Sequence, residues 1–233
     1  MTKHKILVTG GAGYIGSHTC VELIDAGYEP IILDNFSNSE RFVVNRITKI
    51  TGTQVKLVEG DCADLDLVTK TISDNDIKGI IHFAAYKAVG ESSKFPLKYY
   101  RNNLGTTETI LEAIKETNCK SLVFSSSCTV YGQPDKLPVK EESPIKPAES
   151  PYGRTKQICE DMIGDFAASG QEIKALALRY FNPIGAHHST LIGELPIGIP
   201  NNLVPFVTQT AAGIREKLTI FGDDYNTPDG TCI

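Results

Sequence analysis

The sequence lacks tryptophan, has only two methionines among its 233 residues, and contains no long apolar run. Its apolar runs, of which residues 80–85 are typical, have the length of a β-strand and are too short to span a bilayer. The chain also lacks an excess of positive charge, since 23 Lys and Arg residues stand against 28 Asp and Glu residues. We therefore expect neither a nucleic-acid partner nor a membrane partner.

The six cysteines include no Cys-x-x-Cys pair and none of the ligand spacings typical of zinc. In a chain of this length they indicate buried thiols rather than a disulfide framework. The neighbouring His187 and His188 are expected in a loop, so no metal site is predicted. Residues 1–5 lead directly into an apolar strand, without the hydrophobic segment and cleavage site of a signal peptide. These features predict a cytosolic protein.

Short β-rich runs alternate with amphipathic stretches along most of the chain. The runs predict strands at residues 5–9, 30–33, 54–59, 79–83, 121–125 and 174–180. The stretches predict helices at residues 15–26, 40–51, 64–73, 96–117, 152–169 and 202–217. Nearly continuous apolar strands are typical of parallel strands covered on both faces. The order predicts an α/β fold with a doubly wound parallel sheet and right-handed crossovers.

The first predicted strand leads into a glycine-rich turn, residues 10–16. Its G-x-x-G-x-x-G spacing is a variant of the dinucleotide fingerprint, in which glycines allow a tight turn and close approach to a pyrophosphate. The following helix offers N–H groups and a positive dipole end to the phosphates. A plain tight turn would also explain the glycines, but the strand–turn–helix context favours nucleotide binding.

Three further strand ends carry residues suited to the rest of a dinucleotide. Asp34 ends the second predicted strand, where a carboxylate accepts hydrogen bonds from ribose hydroxyls and repels a 2′-phosphate. NAD is therefore favoured over NADP. Asp61 follows the third strand and is placed to bond the adenine amino group, while residues 83–85 follow the fourth and let the dinucleotide lie against the backbone. A strand-end turn would also explain Asp34, and packing would explain the alanines.

Three groups form the candidate catalytic constellation: Ser127 at the end of the fifth strand, Tyr152, and Lys156. Tyr152 and Lys156 are four residues apart and so share one face of a helix that Pro151 helps to start. A free tyrosine titrates near ~10 and is a poor base at neutral pH. We expect the ammonium of Lys156, with the positive nicotinamide, to lower the pKa of Tyr152.

Prolines and glycines interrupt the alternating pattern after Phe181. We expect an NAD-binding Rossmann domain over residues 1–181 and part of a smaller substrate-binding region over residues 182–233. The sequence ends at Ile233 without a capping sequence, from which we expect the second region to continue further.

These residues resemble those of the extended short-chain dehydrogenase/reductase superfamily and, within it, the sugar-nucleotide 4-epimerases. The resemblance runs through the whole chain and includes residues 8–19, 32–35, 81–85, 124–132 and 179–183. Residues 87–92 and 198–203 are more particular to the epimerases. The glycine turn and the Tyr-x-x-x-Lys pair are shared across the superfamily.

The resemblance implies an NAD-dependent homodimer that interconverts UDP-glucose and UDP-galactose by transient oxidation at sugar C4. Tyr152 would be the base, Ser127 would hold the hydroxyl, and Lys156 would bond the nicotinamide ribose. The expected cofactor-binding residues are Gly10, Gly13, Tyr14, Ile15, Gly16, Asp34, Asn35, Asp61, Cys62, Phe83, Ala84, Ala85, Lys87, Asn102, Ser125, Tyr152, Lys156 and Tyr180. The expected substrate-binding residues are Lys87, Ser127, Tyr152, Phe181, Asn182, Asn202, Leu203 and Phe221.

Two other functions stay open. A nucleotide-sugar 4,6-dehydratase would share the glycine turn and the Tyr-x-x-x-Lys pair, but it needs an acidic pair where Cys128 and Thr129 stand. An inactive NAD-binding module is the second, because the arginine-containing segment that follows Thr231 in the epimerases lies outside this sequence.

Overall fold

The computed structural model describes residues 3–220 and 222–231. The strands are β1 (Lys5–Thr9), β2 (Glu29–Asp34), β3 (Lys56–Glu59), β4 (Ile77–His82), β5 (Ser121–Ser125) and β6 (Lys174–Leu178). The helices are α1 (Tyr14–Asp25), α2 (Phe42–Thr51), α3 (Leu65–Asn75), α4 (Val89–Lys94), α5 (Pro96–Glu116), α6 (Pro151–Ala168) and α7 (Leu203–Ala211). Across the described ranges, no helix is long and apolar enough to cross a bilayer.

The six strands form one parallel sheet in the order β3-β2-β1-β4-β5-β6. The prediction of a doubly wound parallel sheet is therefore confirmed. The chain runs outward from β1 to β3, returns to the other side of β1, and runs outward again from β4 to β6. The reversal opens a crevice at the carboxyl ends of β1 and β4, where sheets of this kind bind their ligands.

Apolar side chains cover both faces of the central strands, as the near-continuous apolar strands predict, whereas every residue of the edge strand β6 is exposed. Adjacent residues of a strand point to opposite faces, so Leu7 and Val8 belong to different core clusters. Leu7 packs in the cluster that includes Phe124 and residues of α3, α5 and α6. Val8 packs in the cluster that includes Ile32 and residues of α1 and α2.

Two short elements and one helix end differ from the prediction. Helix α4 and a 3-10 helix at Cys128–Tyr131 were not predicted, because each is too short for an apolar period to show. Helix α7 was predicted to reach residue 217 but ends at Ala211, and Gly213 follows with a φ of 74°. A positive φ of this kind is the usual stop at a helix C-terminus.

The chain divides into two compact units between Gly193 and Glu194. Residues 182–193, assigned by sequence to the second region, belong to the first unit. Two hydrogen bonds hold them there: Tyr14 Oη donates to the Gly185 carbonyl at 2.8 Å, and Arg46 Nη1 donates to the Leu191 carbonyl at 3.0 Å. The second unit contains α7.

Leu122 and Leu176 lie on the paired strands β5 and β6 but differ in burial, with 1% and 57% of their surfaces exposed. Leu122→Ala is expected to lower the free energy of unfolding by about 2–5 kcal/mol, because it leaves a cavity in the core. Leu176→Ala removes the same atoms from an exposed site and should cost much less. Urea unfolding of both variants checks this, and equal losses would contradict the burial pattern.

Candidate active site

The glycine turn is packed too closely for side chains at Gly10, Gly11 and Gly16. Gly10 has a φ of 68°, and a Cβ there would lie 3.0 Å from the Ala84 nitrogen. A Cβ at Gly16 would lie 2.3 Å from the Gly10 carbonyl oxygen. Gly13 is the N-cap residue of α1 and provides no side-chain cap. The turn therefore brings the positive end of α1 to the crevice with bare backbone around it, which suits a diphosphate.

The Asp34 carboxylate fixes two loops at the carboxyl end of β2. Its Oδ2 accepts a hydrogen bond from the Ala12 N–H at 3.0 Å, inside the glycine turn. Its Oδ1 accepts from the Phe36 N–H at 2.9 Å and from Ser39 Oγ at 2.8 Å. A carboxylate has about four lone-pair positions, so an acceptor position remains for a ribose hydroxyl.

Asn35 and Asp61, both predicted to contact the cofactor, lie close to each other. Asn35 Nδ2 donates to Asp61 Oδ2 at 3.1 Å, which joins the loops after β2 and β3. Cys62 is 5% exposed and packs in the core with Val68 and Ile72. Phe83 lies after β4, where its N–H donates to the Thr9 carbonyl at 3.1 Å.

Asn103 is buried and forms four side-chain hydrogen bonds, a role that the sequence did not indicate. Its Nδ2 donates to the Tyr86 carbonyl at 3.1 Å and to Thr155 Oγ1 at 3.0 Å. Its Oδ1 accepts from the Tyr86 N–H at 2.9 Å and from the neighbouring Asn102 side chain at 3.0 Å. Asn103 thus ties the loop after β4 to the residue before Lys156. Its place beside the predicted Asn102 was the one available signal.

The serine-ended strand and α6 bring the catalytic candidates together. Lys156 Nζ donates to the Ser125 carbonyl at 2.7 Å and lies 4.8 Å from the centre of the Phe124 ring. The same nitrogen is 6.0 Å from the centre of the Tyr152 ring. Ser125 Oγ and Tyr180 Oη form a short hydrogen bond. The first turn of α6 is capped by Ser150, whose Oγ accepts from the Gly153 N–H at 3.1 Å.

The pKa values of Tyr152 and Lys156 are both set chiefly by burial. Burial raises the pKa of Tyr152, and a hydrogen bond from Ser127 partly offsets this. The expectation that Lys156, together with a bound nicotinamide, lowers this pKa stays a prediction. Burial lowers the pKa of Lys156 to about 8, so this side chain is mostly protonated at neutral pH.

The predicted substrate-binding residues are spread over both units. Lys87, Phe181 and Asn182 are exposed in the first unit. Asn202 and Leu203 lie in the second unit at the start of α7, where Asn202 Nδ2 donates to Glu194 in a short hydrogen bond and Leu203 is exposed. Phe221 lies outside the described residues. The described side chains that converge on the crevice are therefore the cofactor and catalytic candidates of the first unit.

Gly16→Ala is expected to weaken NAD binding by about tenfold or more, because the added methyl group must displace the backbone of the glycine turn. The matched control is Gly164→Ala in α6, where a Cβ would meet nothing within 4 Å. That change should leave NAD affinity unaltered and raise stability by up to about 1 kcal/mol. Isothermal titration with NAD checks both. Wild-type affinity in Gly16→Ala would contradict the assignment of the turn.

The burial of Lys156 predicts a pH-dependent stability. Its pKa is about 8 in the folded chain and 10.5 when unperturbed, so the unfolded state binds more protons between these values. The wild-type protein should therefore gain stability relative to Lys156→Met as the pH rises through this window, by about 3 kcal/mol in full. Urea unfolding of both proteins from about pH 7 to about pH 11 measures the difference. If the free energy of unfolding changed with pH equally in both proteins, the lowered pKa of Lys156 would be contradicted.

Comparison with known proteins agrees with this geometry. Residues 6–228 match the model of the NAD dependent epimerase/dehydratase family. The chain is 53% identical over 229 residues to the UDP-glucose 4-epimerase of Dictyostelium discoideum, covering 98% of this chain and 66% of the relative. It is 52% identical over 228 residues to the UDP-glucose 4-epimerase of Bacillus subtilis, covering 98% of this chain and 67% of the relative.

A solved structure gives the same result. The UDP-glucose 4-epimerase from Bifidobacterium longum, crystallised with NAD+ and UDP, superposes with a TM-score of 0.95 at 46% identity. The match covers 97% of this chain and 68% of that protein. The chain thus spans about two thirds of the length of these relatives. The resemblance that the motifs indicated is confirmed, and the chain belongs to the NAD dependent epimerase/dehydratase family.

Proposed function

We propose that the protein interconverts UDP-glucose and UDP-galactose by transient oxidation at C4 of the sugar, with NAD as its cofactor. The observation that carries the proposal is the juxtaposition of Ser127, Tyr152 and Lys156 at the end of β5 and the start of α6, in the unit that holds the glycine turn. Relatives named UDP-glucose 4-epimerase at about half identity over nearly the whole chain support the substrate.

Each catalytic candidate has a task that its surroundings suit. NAD, when bound, would accept a hydride from C4 and return it to the opposite face of the sugar. Tyr152, in its phenolate form, removes the proton of the 4-hydroxyl and later gives it back, while Ser127 holds the reacting oxygen. Lys156 keeps a positive charge beside the site at neutral pH and bonds the nicotinamide ribose. The bond from Ser127 favours the phenolate, since it opposes the effect of burial on the pKa of Tyr152.

The residues after Ser127 favour an epimerase over a 4,6-dehydratase. Elimination of water needs an acid and a base next to the sugar, whereas Cys128 and Thr129 stand at this place. Both belong to the short 3-10 helix, and the Thr129 N–H donates to Ser127 Oγ at 3.2 Å. Burial raises the pKa of the Cys128 thiol, so this side chain stays neutral and does not replace a carboxylate.

The proposal extends to galactose metabolism in the cytosol and to a homodimer. Cys20, Cys62, Cys119, Cys128 and Cys159 are free thiols, which fits a reducing compartment. The family resemblance implies dimerisation through helices of the NAD-binding domain. Helices α5 and α6, which pack against each other, expose a groove lined by Leu111, Met162 and Phe166 that suits such a contact.

Tyr152→Phe removes the proposed base and keeps the ring, so turnover should fall by about 10²–10⁴-fold or more. The assay supplies UDP-galactose without added NAD and detects UDP-glucose. Tyr28→Phe, which alters an exposed tyrosine outside the site, is the control and should leave turnover unchanged.

Undiminished turnover in Tyr152→Phe would contradict the role of this residue. A 4-keto-6-deoxy product would move the assignment to the dehydratase. Bound NAD without any turnover would leave an NAD-binding module with another substrate or none.

A further inference from the structure

Glu160 lies on α6 one turn after Lys156 and two turns after Tyr152, so the three side chains share a face of the helix. Its carboxylate is largely buried, with 12% of the side chain exposed. Ser126 Oγ donates to Oε1 in a short hydrogen bond. Arg179 Nε donates to both carboxylate oxygens at 3.0 and 3.2 Å, and Arg179 Nη2 donates to Oε2 at 2.6 Å.

Each partner of Glu160 is the chain neighbour of a site residue. Ser126 is 1% exposed and lies between Ser125, whose carbonyl accepts from Lys156, and Ser127. Arg179 precedes Tyr180, whose hydroxyl is bonded to Ser125 Oγ. One carboxylate therefore joins the ends of β5 and β6 to the helix that carries the tyrosine and the lysine.

Arg179 is itself held in a fixed orientation. Its guanidinium lies 5.0 Å from the centre of the Tyr131 ring, and its Nη1 donates to Tyr131 Oη at 3.3 Å. Tyr131 is buried at the end of the 3-10 helix that follows Ser127. The fork of donors on an arginine matches a carboxylate in a way that a lysine cannot.

We propose that Glu160 is a positioning residue, which holds the Ser125–Ser127 turn and the end of β6 against α6 and so sets the places of Ser127 and Lys156 relative to Tyr152. The inference rests on the proposed function for its effect on turnover. Its effect on Lys156 does not depend on that function. Hydrogen bonds from Ser126 and Arg179 engage both oxygens of the Glu160 carboxylate, so Glu160 does not serve as an acid or base itself.

The charge of Glu160 also acts on Lys156. The groups that face the ammonium are the Ser125 carbonyl on β5, His82 on β4, and Tyr152, Cys159 and Glu160 on α6. Burial lowers the pKa of Lys156, whereas Cys159 and the Glu160 carboxylate both raise it. Burial keeps His82 neutral by lowering its pKa to about 3, so it adds no positive charge near neutral pH. Neutralising Glu160 should therefore move the titration of Lys156 to lower pH.

Glu160→Gln tests the proposal, because it removes the charge and weakens the contact with Arg179 at nearly unchanged size. The matched control is Asp161→Asn, the same change at the next residue of α6, which is exposed. Lys156 is titrated by NMR in protein with 13C-labelled lysine, with the resonance assigned by its loss in Lys156→Met. We expect the pKa of Lys156 to fall in Glu160→Gln and to stay unchanged in Asp161→Asn.

Turnover of UDP-galactose by the same proteins gives the second readout. In Glu160→Gln, kcat should fall by about tenfold with little change in KM, and the alkaline limb of kcat should move to lower pH. Arg179→Lys keeps the positive charge but loses the forked contact with the carboxylate. Its kcat should lie between those of the wild type and Glu160→Gln. If Glu160→Gln does not fold, Ser126→Ala, which leaves the ion pair in place, must lower kcat for the proposal to stand.

The outcomes are distinct. An unchanged Lys156 pKa together with an unshifted alkaline limb would overturn the inference, even if Glu160→Gln melted at a lower temperature, because Glu160 would then be merely structural. A lowered Lys156 pKa in a protein whose wild type does not epimerise UDP-galactose would support the placement of Glu160 and reject the proposed function.

Discussion

The parallel alignment of β1, β4 and β5 is the constraint on which the site depends, since it brings the carboxyl ends of these strands to one edge of the sheet. The glycine turn follows β1, the small residues after Phe83 follow β4, and the serines follow β5. Residues separated by more than a hundred positions in sequence therefore share one crevice. Helix α6 then lies against the end of β5 and supplies Tyr152 and Lys156 from a single face.

Buried polar groups in this crevice are matched by partners that also set its chemistry. Lys156 is 3% exposed and donates to the Ser125 carbonyl, and with a pKa of about 8 its ammonium is mostly protonated at neutral pH. Asn103 uses both atoms of its amide to join the loop after β4 to α6. Because an unpaired polar group in such a place costs about 1–3 kcal/mol, the same contacts that satisfy the groups also fix their positions.

The elements that could be predicted from the sequence are those in which apolar residues recur regularly over many positions and in which a clear residue signal marks the start or the end. β1 and β5 have the predicted bounds, and α6 begins at Pro151, beside the predicted start. The short α4 and the 3-10 helix were missed because each has too few residues for a helical spacing of apolar side chains to be recognised. The rise of the Tyr152 pKa in the structure could not be predicted from the spacing of the two residues, because it comes chiefly from burial, which depends on the packing around the side chain. The contacts of Glu160 with Ser126 and Arg179 join α6 to the ends of two strands, so no local sequence pattern indicates them.

Transient oxidation at C4 is tested most directly with UDP-galactose that carries deuterium at C4. The protein should convert it to UDP-glucose with the deuterium still at C4, because a hydride that passes from the sugar to the cofactor and back does not exchange with water. Loss of deuterium to the solvent would show removal of a proton instead and would contradict the proposed reaction. Deuterium at C6 of a 4-keto-6-deoxy sugar would identify a dehydratase.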